Sequence, residues 1–209
     1  MFVKSVMMPK HLSLTIDRNQ TVQEALNTLE EHGIDGLPVL DGEKYFGIIT
    51  RYNIYEYFFE SGMKKEEFLQ IKSGEIATHK DIYLTGNEIF ENTLLSLKDF
   101  PLLAVLDENQ MFMGIVTRFD VLEQFQSAFG MNKKGVRIAF TAHETEGRIA
   151  RLSEIAKQFH EHIISIVTFD ETDKLIRRIV MKIEKKDNIN KFIQKLENSG
   201  FRVLDVKED

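Results

Sequence analysis

The sequence predicts a mixed α/β protein, of the α+β type, made of two copies of one repeat followed by a third unit with a different rhythm. The first observation behind this fold class is the repeat itself. The windows YFGIITRYNI (residues 45–54) and FMGIVTRFDV (residues 112–121) carry Gly, Ile, Thr and Arg at identical places, and every other position holds a chemically similar residue. The second observation is that this pattern ends after GMNKKG (residues 130–135), where a new alternation of strands and helices begins.

Each repeat is predicted to run strand, helix, strand, tight turn, strand, helix. Short alternating stretches, LSLTI at residues 12–16 and IYLT at residues 82–85, predict the first strands. Apolar residues at helical spacing follow each of them. The apolar runs LPVLD and LAVLD then lead through polar turns into the two motif windows. A single repeat is too small to bury a comfortable core, so the two copies are expected to pack together.

The third unit is predicted to have the ferredoxin-like order βαββαβ. The stretches VRIAFT, HIISIVTF, LIRRIVMKI and FRVLDV alternate as strands. HETEG (residues 143–147) is expected to turn into the first helix, and Gly200 suits the end of the second helix. The predicted domains are residues 1–62 and 63–130 for the two repeats and residues 136–209 for the third unit.

The amino-acid composition excludes or disfavours several classes of function. The 209 residues include 43% hydrophobic and 29% charged side chains, which is enough for ordered cores. No cysteine is present, which excludes disulfides, thiolate metal sites and cysteine nucleophiles and favours a reducing compartment. The net charge of -6 and the scattered Lys and Arg argue against a nucleic-acid surface. The sequence shows no export signal and no apolar run of roughly 20 residues, so a soluble cytoplasmic protein without membrane contact is expected.

The repeated motif has a structural and a functional interpretation. A Thr followed three residues later by Asp or Asn is close to a capping box, in which the Thr oxygen accepts from a free N–H of the first helical turn. Thr50 with Asn53 and Thr117 with Asp120 satisfy this pattern. The same helix start presents free N–H groups and the positive end of the helix dipole, so a phosphate can bind there. A carboxylate one turn later can accept hydrogen bonds from both hydroxyls of a ribose.

The motifs GIITRYN and GIVTRFD, with the upstream runs LPVLD and LAVLD, resemble those of a tandem pair of CBS domains over residues 1–129. The third unit resembles an ACT domain in its βαββαβ order, in ETEGRIARLSEIA with its Gly147, and in HIISI as second strand. The order CBS, CBS, ACT is that of the AcuB-like acetoin-utilisation proteins. Some small CBS proteins of Gram-positive bacteria bind cyclic di-AMP. A bacterial regulatory protein is therefore expected.

The resemblance implies two adenine-nucleotide clefts. In each cleft the motif Thr binds a phosphate, the Asp or Asn binds the ribose, and the base lies between the segment before the first strand and the apolar-Pro-Val strand. The Arg that follows the Thr is a further donor for the phosphate. One cleft is assigned to Thr117, Arg118, Phe119, Asp120, His79, Lys80 and Ile82. The other cleft is assigned to Thr50, Arg51, Tyr52, Asn53, Lys10, His11, Leu37 and Pro38. The aromatic residue beside each Arg, Tyr52 or Phe119, is the candidate for stacking on a purine.

The two clefts are not expected to be equivalent. Asn53 stands where the family has Asp, whereas Asp120 keeps it. An amide has one acceptor oxygen and no charge, so it holds a vicinal diol less well than a carboxylate. Ala104 also replaces the proline that Pro38 provides in the first repeat. We therefore expect the ribose at Asp120 and expect the Asn53 cleft to be empty, weaker or shaped for another ligand. In the third unit, His162 stands where amino-acid-binding ACT domains have Asn, which argues against amino-acid sensing.

The leading hypothesis is a regulatory protein that binds an adenine nucleotide. Cyclic di-AMP and AMP are favoured over ATP and S-adenosylmethionine, because no basic cluster suggests a triphosphate clamp. The protein is expected to form a homodimer, to signal to a protein target and to need no cofactor. No catalytic motif is found, and the pair His160 and His162 has no third ligand nearby to suggest a metal site. Two alternatives stay open: a small enzyme or enzyme subunit that uses the repeats as scaffold, and an interaction scaffold without ligand.

Overall fold

The computed structural model describes residues 2–143, 145–170 and 175–209. The chain divides into two compact units, Met1–Val121 and Leu122–Asp209, and the division falls inside a helix. The first unit holds both repeats except for residues 122–128 of the helix that closes the second repeat. The boundaries predicted for the three domains stay predictions. No described helix is both long enough and apolar enough to cross a membrane.

The first unit contains two similar sets of secondary structure. Each set begins with a short strand and a helix and continues through an antiparallel hairpin into a closing helix, as the repeat predicts. In chain order the elements are β1 (Met8–Pro9), β2 (Ile16–Asp17), α1 (Val22–Glu31), β3 (Gly36–Asp41), β4 (Lys44–Thr50), α2 (Arg51–Ser61), α3 (Lys65–Phe68), α4 (Ser73–Ile76), β5 (Tyr83–Leu84), α5 (Thr93–Leu97), β6 (Leu102–Leu106), β7 (Phe112–Thr117) and α6 (Arg118–Ala128). Short 3₁₀ turns lie at Val3–Ser5 and Phe90–Asn92.

The sequence explains why the first helix begins where it does. The Thr21 hydroxyl accepts a hydrogen bond from the Glu24 amide, and the Thr21 amide donates to the Glu24 carboxylate at 2.7 Å, which completes a capping box. The hydrogen bond from the Thr21 backbone lowers the pKa of the Glu24 carboxyl. Val22, Ala25 and Leu29 then share the buried face of α1.

Each repeat forms its own sheet. In the first repeat, β2 pairs in parallel with β3, and β3 pairs antiparallel with β4. In the second repeat, β5, β6 and β7 pair in the same way. The predicted first strands are shorter than expected, because only Ile16–Asp17 and Tyr83–Leu84 pair with a neighbour. The cores contain Leu29, Leu37 and Ile49 in the first repeat and Leu97, Leu103 and Val116 in the second.

The segments that precede the first strands cross over between the repeats. β1 pairs antiparallel with β7, so the amino-terminal segment adds a fourth strand to the sheet of the second repeat. Thr78 forms the equivalent bridge to Ile48 in β4 of the first repeat. Val3 is buried in the core of the second repeat, while Phe68 and Ile76 are buried in the core of the first. This crossover ties two small cores into one unit.

The glycine of each motif permits the crossover. A Cβ atom on Gly114 would lie 2.1 Å from the Met8 carbonyl oxygen. A Cβ atom on Gly47 would lie 2.7 Å from the Thr78 carbonyl oxygen. Both distances are too short for a non-bonded contact, so a residue without a side chain is required where the crossing segment pairs with the strand.

The second unit has the predicted order βαββαβ. Its elements after α6 are β8 (Val136–His143), α7 (Arg148–Gln158), β9 (Ile163–Asp170), β10 (Ile176–Ile183), α8 (Ile189–Asn198) and β11 (Arg202–Glu208). The sheet order is β11-β8-β10-β9, and all neighbouring strands are antiparallel. Both helices contribute to one core, which includes Phe140, Leu152 and Phe192. The predicted fold class is confirmed; within the predicted turn HETEG, Glu144 lies outside the described residues.

Candidate functional site

Two cavities of the first unit open at the starts of its closing helices, and each has a volume of about 510 Å³. We call the cavity at the start of α2 cleft A and the cavity at the start of α6 cleft B. Cleft A is lined by Asp35, Ile48, Thr50, Arg51, Tyr52, Asn53, His79, Asp99, Phe100, Pro101 and Arg118. Cleft B is lined by Met8, Leu12, Leu14, His32, Gly33, Ile34, Asp35, Gly36, Pro101, Leu102, Ile115, Thr117, Arg118, Phe119 and Asp120.

In cleft B the motif forms a closed set of hydrogen bonds. The Thr117 amide and hydroxyl both donate to Asp120 Oδ2, at 2.6 Å and 2.7 Å. The Asp120 amide donates back to Thr117 Oγ1 at 3.3 Å, so the predicted capping box is present. Among the described residues, the second carboxylate oxygen of Asp120, Oδ1, receives no hydrogen bond. This oxygen is left to accept from a ligand.

In cleft A the same backbone carries a different hydrogen-bond network. Thr50 Oγ1 accepts from the Asn53 amide at 3.1 Å and donates to Asn53 Oδ1 at 2.6 Å. Thr78 Oγ1 lies 3.3 Å from the same Asn53 oxygen and 2.6 Å from His79 Nδ1. The amide oxygen of Asn53 is thus used within the protein. Cleft A therefore presents the NH₂ donor of Asn53 where cleft B presents a carboxylate acceptor.

Both motif arginines hold carbonyl groups of their own repeat. Arg51 donates to the carbonyl oxygens of Leu29 at 2.5 Å and Ile34 at 3.1 Å. Arg118 donates to the carbonyl oxygens of Leu97 at 2.8 Å, Phe100 at 3.1 Å and Lys98 at 3.1 Å. The two arginines line the clefts as predicted, but their guanidinium groups also cap the ends of α1 and α5. The motif pattern did not indicate this second role.

The side chains that complete the lining differ between the clefts. In cleft B, Met8, Leu12 and Leu14 form an apolar surface, and Leu12 remains 64% exposed. In cleft A the lining includes His79, whose ring forms a T-shaped contact with Phe100 at a centroid distance of 4.4 Å. A partly exposed apolar surface suits the face of a nucleotide base, whereas an imidazole suits a hydrogen-bonding group.

Each cleft also has the exposed aromatic residue that the motif predicts. Tyr52 lines cleft A and Phe119 lines cleft B. The Tyr52 hydroxyl donates to Glu56 Oε1 at 2.8 Å, and this hydrogen bond raises the pKa of the hydroxyl. Stacking of either ring on a purine stays a prediction.

The sequence interpretation places His79, Lys80 and Ile82 beside Asp120. The structure does not bring these residues there. His79 lies in cleft A instead. The Lys80 ammonium lies 4.3 Å from the centre of the Phe46 ring, and Ile82 packs on the core of the second repeat. The cause is the crossover, because the segment before the second repeat pairs with the sheet of the first.

Four residues assigned to the Asn53 cleft also lie elsewhere. Lys10 and His11 line a separate cavity of about 270 Å³, where Lys10 donates to Glu43 at 3.0 Å. Leu37 is fully buried in the core of the first repeat, and Pro38 is buried within β3. Leu37 and Pro38 therefore support the sheet, and neither lines the cleft.

The sequence interpretation missed two walls of cleft B. One is the apolar surface of the amino-terminal segment, whose alternating Leu12 and Leu14 were interpreted as a strand. The other is the turn between α1 and β3, residues 32–36, which comes from the opposite repeat. The alternation of Leu12 and Leu14 indicates two apolar side chains on one side of the segment. No pattern in the neighbouring residues indicates that either wall lies beside Asp120.

Comparisons with known proteins identify the repeat. Residues 3–60 match the family model of the CBS domain. The chain thus contains a segment that matches the CBS domain. It is 31% identical over 146 residues to an inosine-5'-monophosphate dehydrogenase of Korarchaeum cryptofilum (strain OPF8), and this match covers 68% of the chain and 29% of that enzyme. The chain spans about a third of the length of the curated relatives that it matches.

Solved structures share the CBS fold. The crystal structure of CbpB in complex with c-di-AMP has a TM-score of 0.54 at 20% identity, covering 61% of this chain and 85% of that one. The crystal structure of CBSX2 in complex with AMP has a TM-score of 0.52 at 24% identity, covering 59% of this chain and 95% of that one. These likenesses concern the fold, and the ACT-like assignment of the second unit stays a prediction.

Proposed function

We propose that this protein is a regulatory CBS-domain protein that binds an adenine nucleotide in cleft B. The proposal depends on one observation above all: Thr117 and Asp120 lie at the start of α6, in the same cavity as the apolar wall of Met8, Leu12 and Leu14. The volume of about 510 Å³ falls within the range of small-ligand sites. The binding of c-di-AMP by CbpB and of AMP by CBSX2 supports the proposal.

Each part of a nucleotide has a complementary group in cleft B. At the start of α6 the Arg118 amide donates to Pro101 and the Asp120 amide donates to Thr117, so among the described contacts the Phe119 amide is left for a phosphate. The positive dipole end of α6 and the Arg118 guanidinium group add to this phosphate site. Asp120 Oδ1 is free to accept from a ribose hydroxyl. The apolar wall and the exposed Phe119 ring suit the two faces of an adenine.

The charge of cleft B favours AMP and cyclic di-AMP among adenine ligands. Among the residues that line the cleft, Arg118 is the one side chain with a permanent positive charge. One guanidinium group and one helix start match a single phosphate group, which is the phosphate of AMP or one of the two phosphates of cyclic di-AMP. A triphosphate such as ATP needs more positive charge, and S-adenosylmethionine brings no phosphate to the helix start. No cofactor is required by this function.

We also propose that the protein acts as a homodimer and passes the state of cleft B to a protein target through the ACT-like unit. Both closing helices leave a row of apolar side chains exposed. These are Tyr52, Tyr55 and Phe59 on α2, and Phe119, Leu122 and Phe125 on α6. Exposed apolar rows on two repeat-related helices suit a self-complementary interface between two copies.

A thermal-shift screen tests the proposed function. AMP or cyclic di-AMP at millimolar concentration is expected to raise the melting temperature by about 3 °C or more, and ATP and S-adenosylmethionine less, because a ligand that binds only the folded state stabilises it. Chromatography of the nucleotides after incubation is expected to return them unchanged. A screen in which neither AMP nor cyclic di-AMP shifts the transition would overturn the proposal, and conversion of a nucleotide would favour an enzyme.

A further inference from the structure

Clefts A and B share part of their walls. Asp35, Pro101 and Arg118 line both cavities. Cleft B takes the turn at residues 32–36 from the first repeat, while cleft A takes Asp99 and Phe100 from the second. Each cleft is therefore built from the motif of one repeat and a turn of the other.

Each motif arginine lies at the helix start of one cleft and hydrogen-bonds to a residue that lines the other cleft. Arg51, which lines cleft A, binds the carbonyl of Ile34, and Ile34 lines cleft B. Arg118, which lines both clefts, binds the carbonyl of Phe100, and Phe100 lines cleft A. Each arginine thus lies beside the ligand-binding motif of one cleft and fixes a wall of the other.

We propose that the two clefts are negatively coupled through these crossed arginine contacts, so that a phosphate-bearing ligand in one cleft weakens the wall of the other. The proposal rests on the proposed function, because it requires a ligand phosphate at the start of α6. Arg118 and Arg51 are positioning residues in this role, since they act on the second cleft through the turns that they hold.

The physical cause is competition for the guanidinium group. A hydrogen bond from Arg to a phosphate is charge-assisted on both sides and is stronger than a bond to a neutral carbonyl. A phosphate at the start of α6 therefore draws Arg118 away from the carbonyls of Leu97, Lys98 and Phe100. The turn from residue 98 to residue 101 loses these donors and opens more often.

Thermodynamic linkage makes the coupling reciprocal. If a ligand in cleft B lowers the affinity of cleft A, then a ligand in cleft A lowers the affinity of cleft B by the same factor. The equivalent contacts of Arg51 with Leu29 and Ile34 provide the return route, because they hold the turn at residues 32–36. The chain then favours one occupied cleft at a time.

Amide hydrogen exchange with AMP as the probe tests the coupling. The Asp99 amide donates to the Ser96 carbonyl at 3.2 Å and reports on the turn that walls cleft A. In the wild-type protein, AMP is expected to slow amide exchange at residues 118–120 and to speed it at Asp99 by about threefold or more. In Arg118→Lys, whose ammonium cannot hold several carbonyls in the fork geometry of Arg, Asp99 is expected to exchange fast without AMP and to show no further response.

The matched control is Arg51→Lys. It is expected to speed exchange at Ile34, whose amide donates to the Leu29 carbonyl at 3.0 Å, and to weaken AMP binding in cleft B, because the turn at residues 32–36 is loosened. At an AMP concentration that saturates this variant, the AMP response at Asp99 is expected to be kept, because Arg118 is intact. If AMP slows exchange at residues 118–120 and leaves Asp99 unchanged or slower, the coupling is overturned while the proposed function stands. If millimolar AMP slows nothing at residues 118–120, the proposed function fails and the ligand-driven coupling fails with it.

Discussion

Clefts A and B have the same backbone plan and the same volume, but their side chains offer different chemistry. Cleft B presents the free carboxylate oxygen of Asp120 beside an apolar wall. Cleft A presents the amide of Asn53 beside an imidazole, and its amide oxygen is already bonded to Thr50. Duplication has kept the geometry of the helix start and allowed the groups that would contact a ligand to differ.

The contacts that both repeats retain are those that build the fold. Arg51 and Arg118 hold the same two positions at the ends of α1 and α5, and each motif glycine makes room for a crossing backbone segment. A residue that is identical in both repeats is therefore explained by structure first. Within the motif, the replacement of Asp120 by Asn53 changes the group that the helix start offers to a ligand, from a carboxylate to an amide.

The largest expected effect on stability is at Leu37, which the sequence analysis assigns to a cleft and the structure places in the core. Leu37→Ala removes a fully buried side chain, so it is expected to lower the free energy of unfolding by about 3 kcal/mol, measured by chemical denaturation. Leu103→Ala, at the equivalent position of the second repeat, is expected to cost about the same. AMP affinity is expected to stay unchanged in Leu37→Ala. If the variant folds stably but binds AMP more weakly, Leu37 lines a cleft and the assignment to the core alone is wrong.

A smaller effect is expected at the motif glycines. Gly114→Ala places a methyl group against the Met8 carbonyl, so it is expected to lower the free energy of unfolding by about 2 kcal/mol and to displace the apolar wall of cleft B. AMP binding, measured by calorimetry on the folded variant, is expected to weaken. Gly47→Ala, which meets the Thr78 carbonyl beside cleft A, is the matched control and is expected to spare AMP binding. Equal loss of AMP binding in both variants would contradict the distinction between the clefts.

The smallest effect on stability is expected at the helix starts. Thr50→Ala and Thr117→Ala each remove an N-cap hydroxyl, so each is expected to lower the free energy of unfolding by about 1 kcal/mol. Only Thr117→Ala is expected also to weaken AMP binding. Thermal melts with and without AMP measure both quantities. A Thr50→Ala variant with the larger loss of AMP binding would place the nucleotide in cleft A.

The repeat, the order of elements and the helix starts could be predicted from the sequence because each depends on neighbouring residues. Alternating apolar residues define β8 and β10, and the T-x-x-D pattern marks the start of α6 correctly. The CBS resemblance of the motif is confirmed by the family match to residues 3–60.

The composition of each cleft could not be predicted, because it depends on pairing between distant segments. Nothing local in MMPK indicates that Met8 pairs with Ile115, and nothing in THKD indicates that Thr78 pairs with Ile48. For this reason His79 was assigned to the wrong helix start. The short strand β1 also contains Pro9, which is tolerated at the edge of a sheet but gives a weak strand pattern.

Calorimetric titration of AMP into wild-type protein, Asp120→Asn and Asn53→Asp tests the central claim most directly. Asp120→Asn makes the motif of cleft B like that of cleft A and keeps the side-chain volume. It is expected to lower AMP affinity by about tenfold or more, because an amide has one acceptor oxygen and that oxygen is needed for the cap. Asn53→Asp is expected to leave the tighter site unchanged. Unchanged affinity in Asp120→Asn, for AMP shown to bind the wild-type protein, would contradict the assignment of the ribose to Asp120.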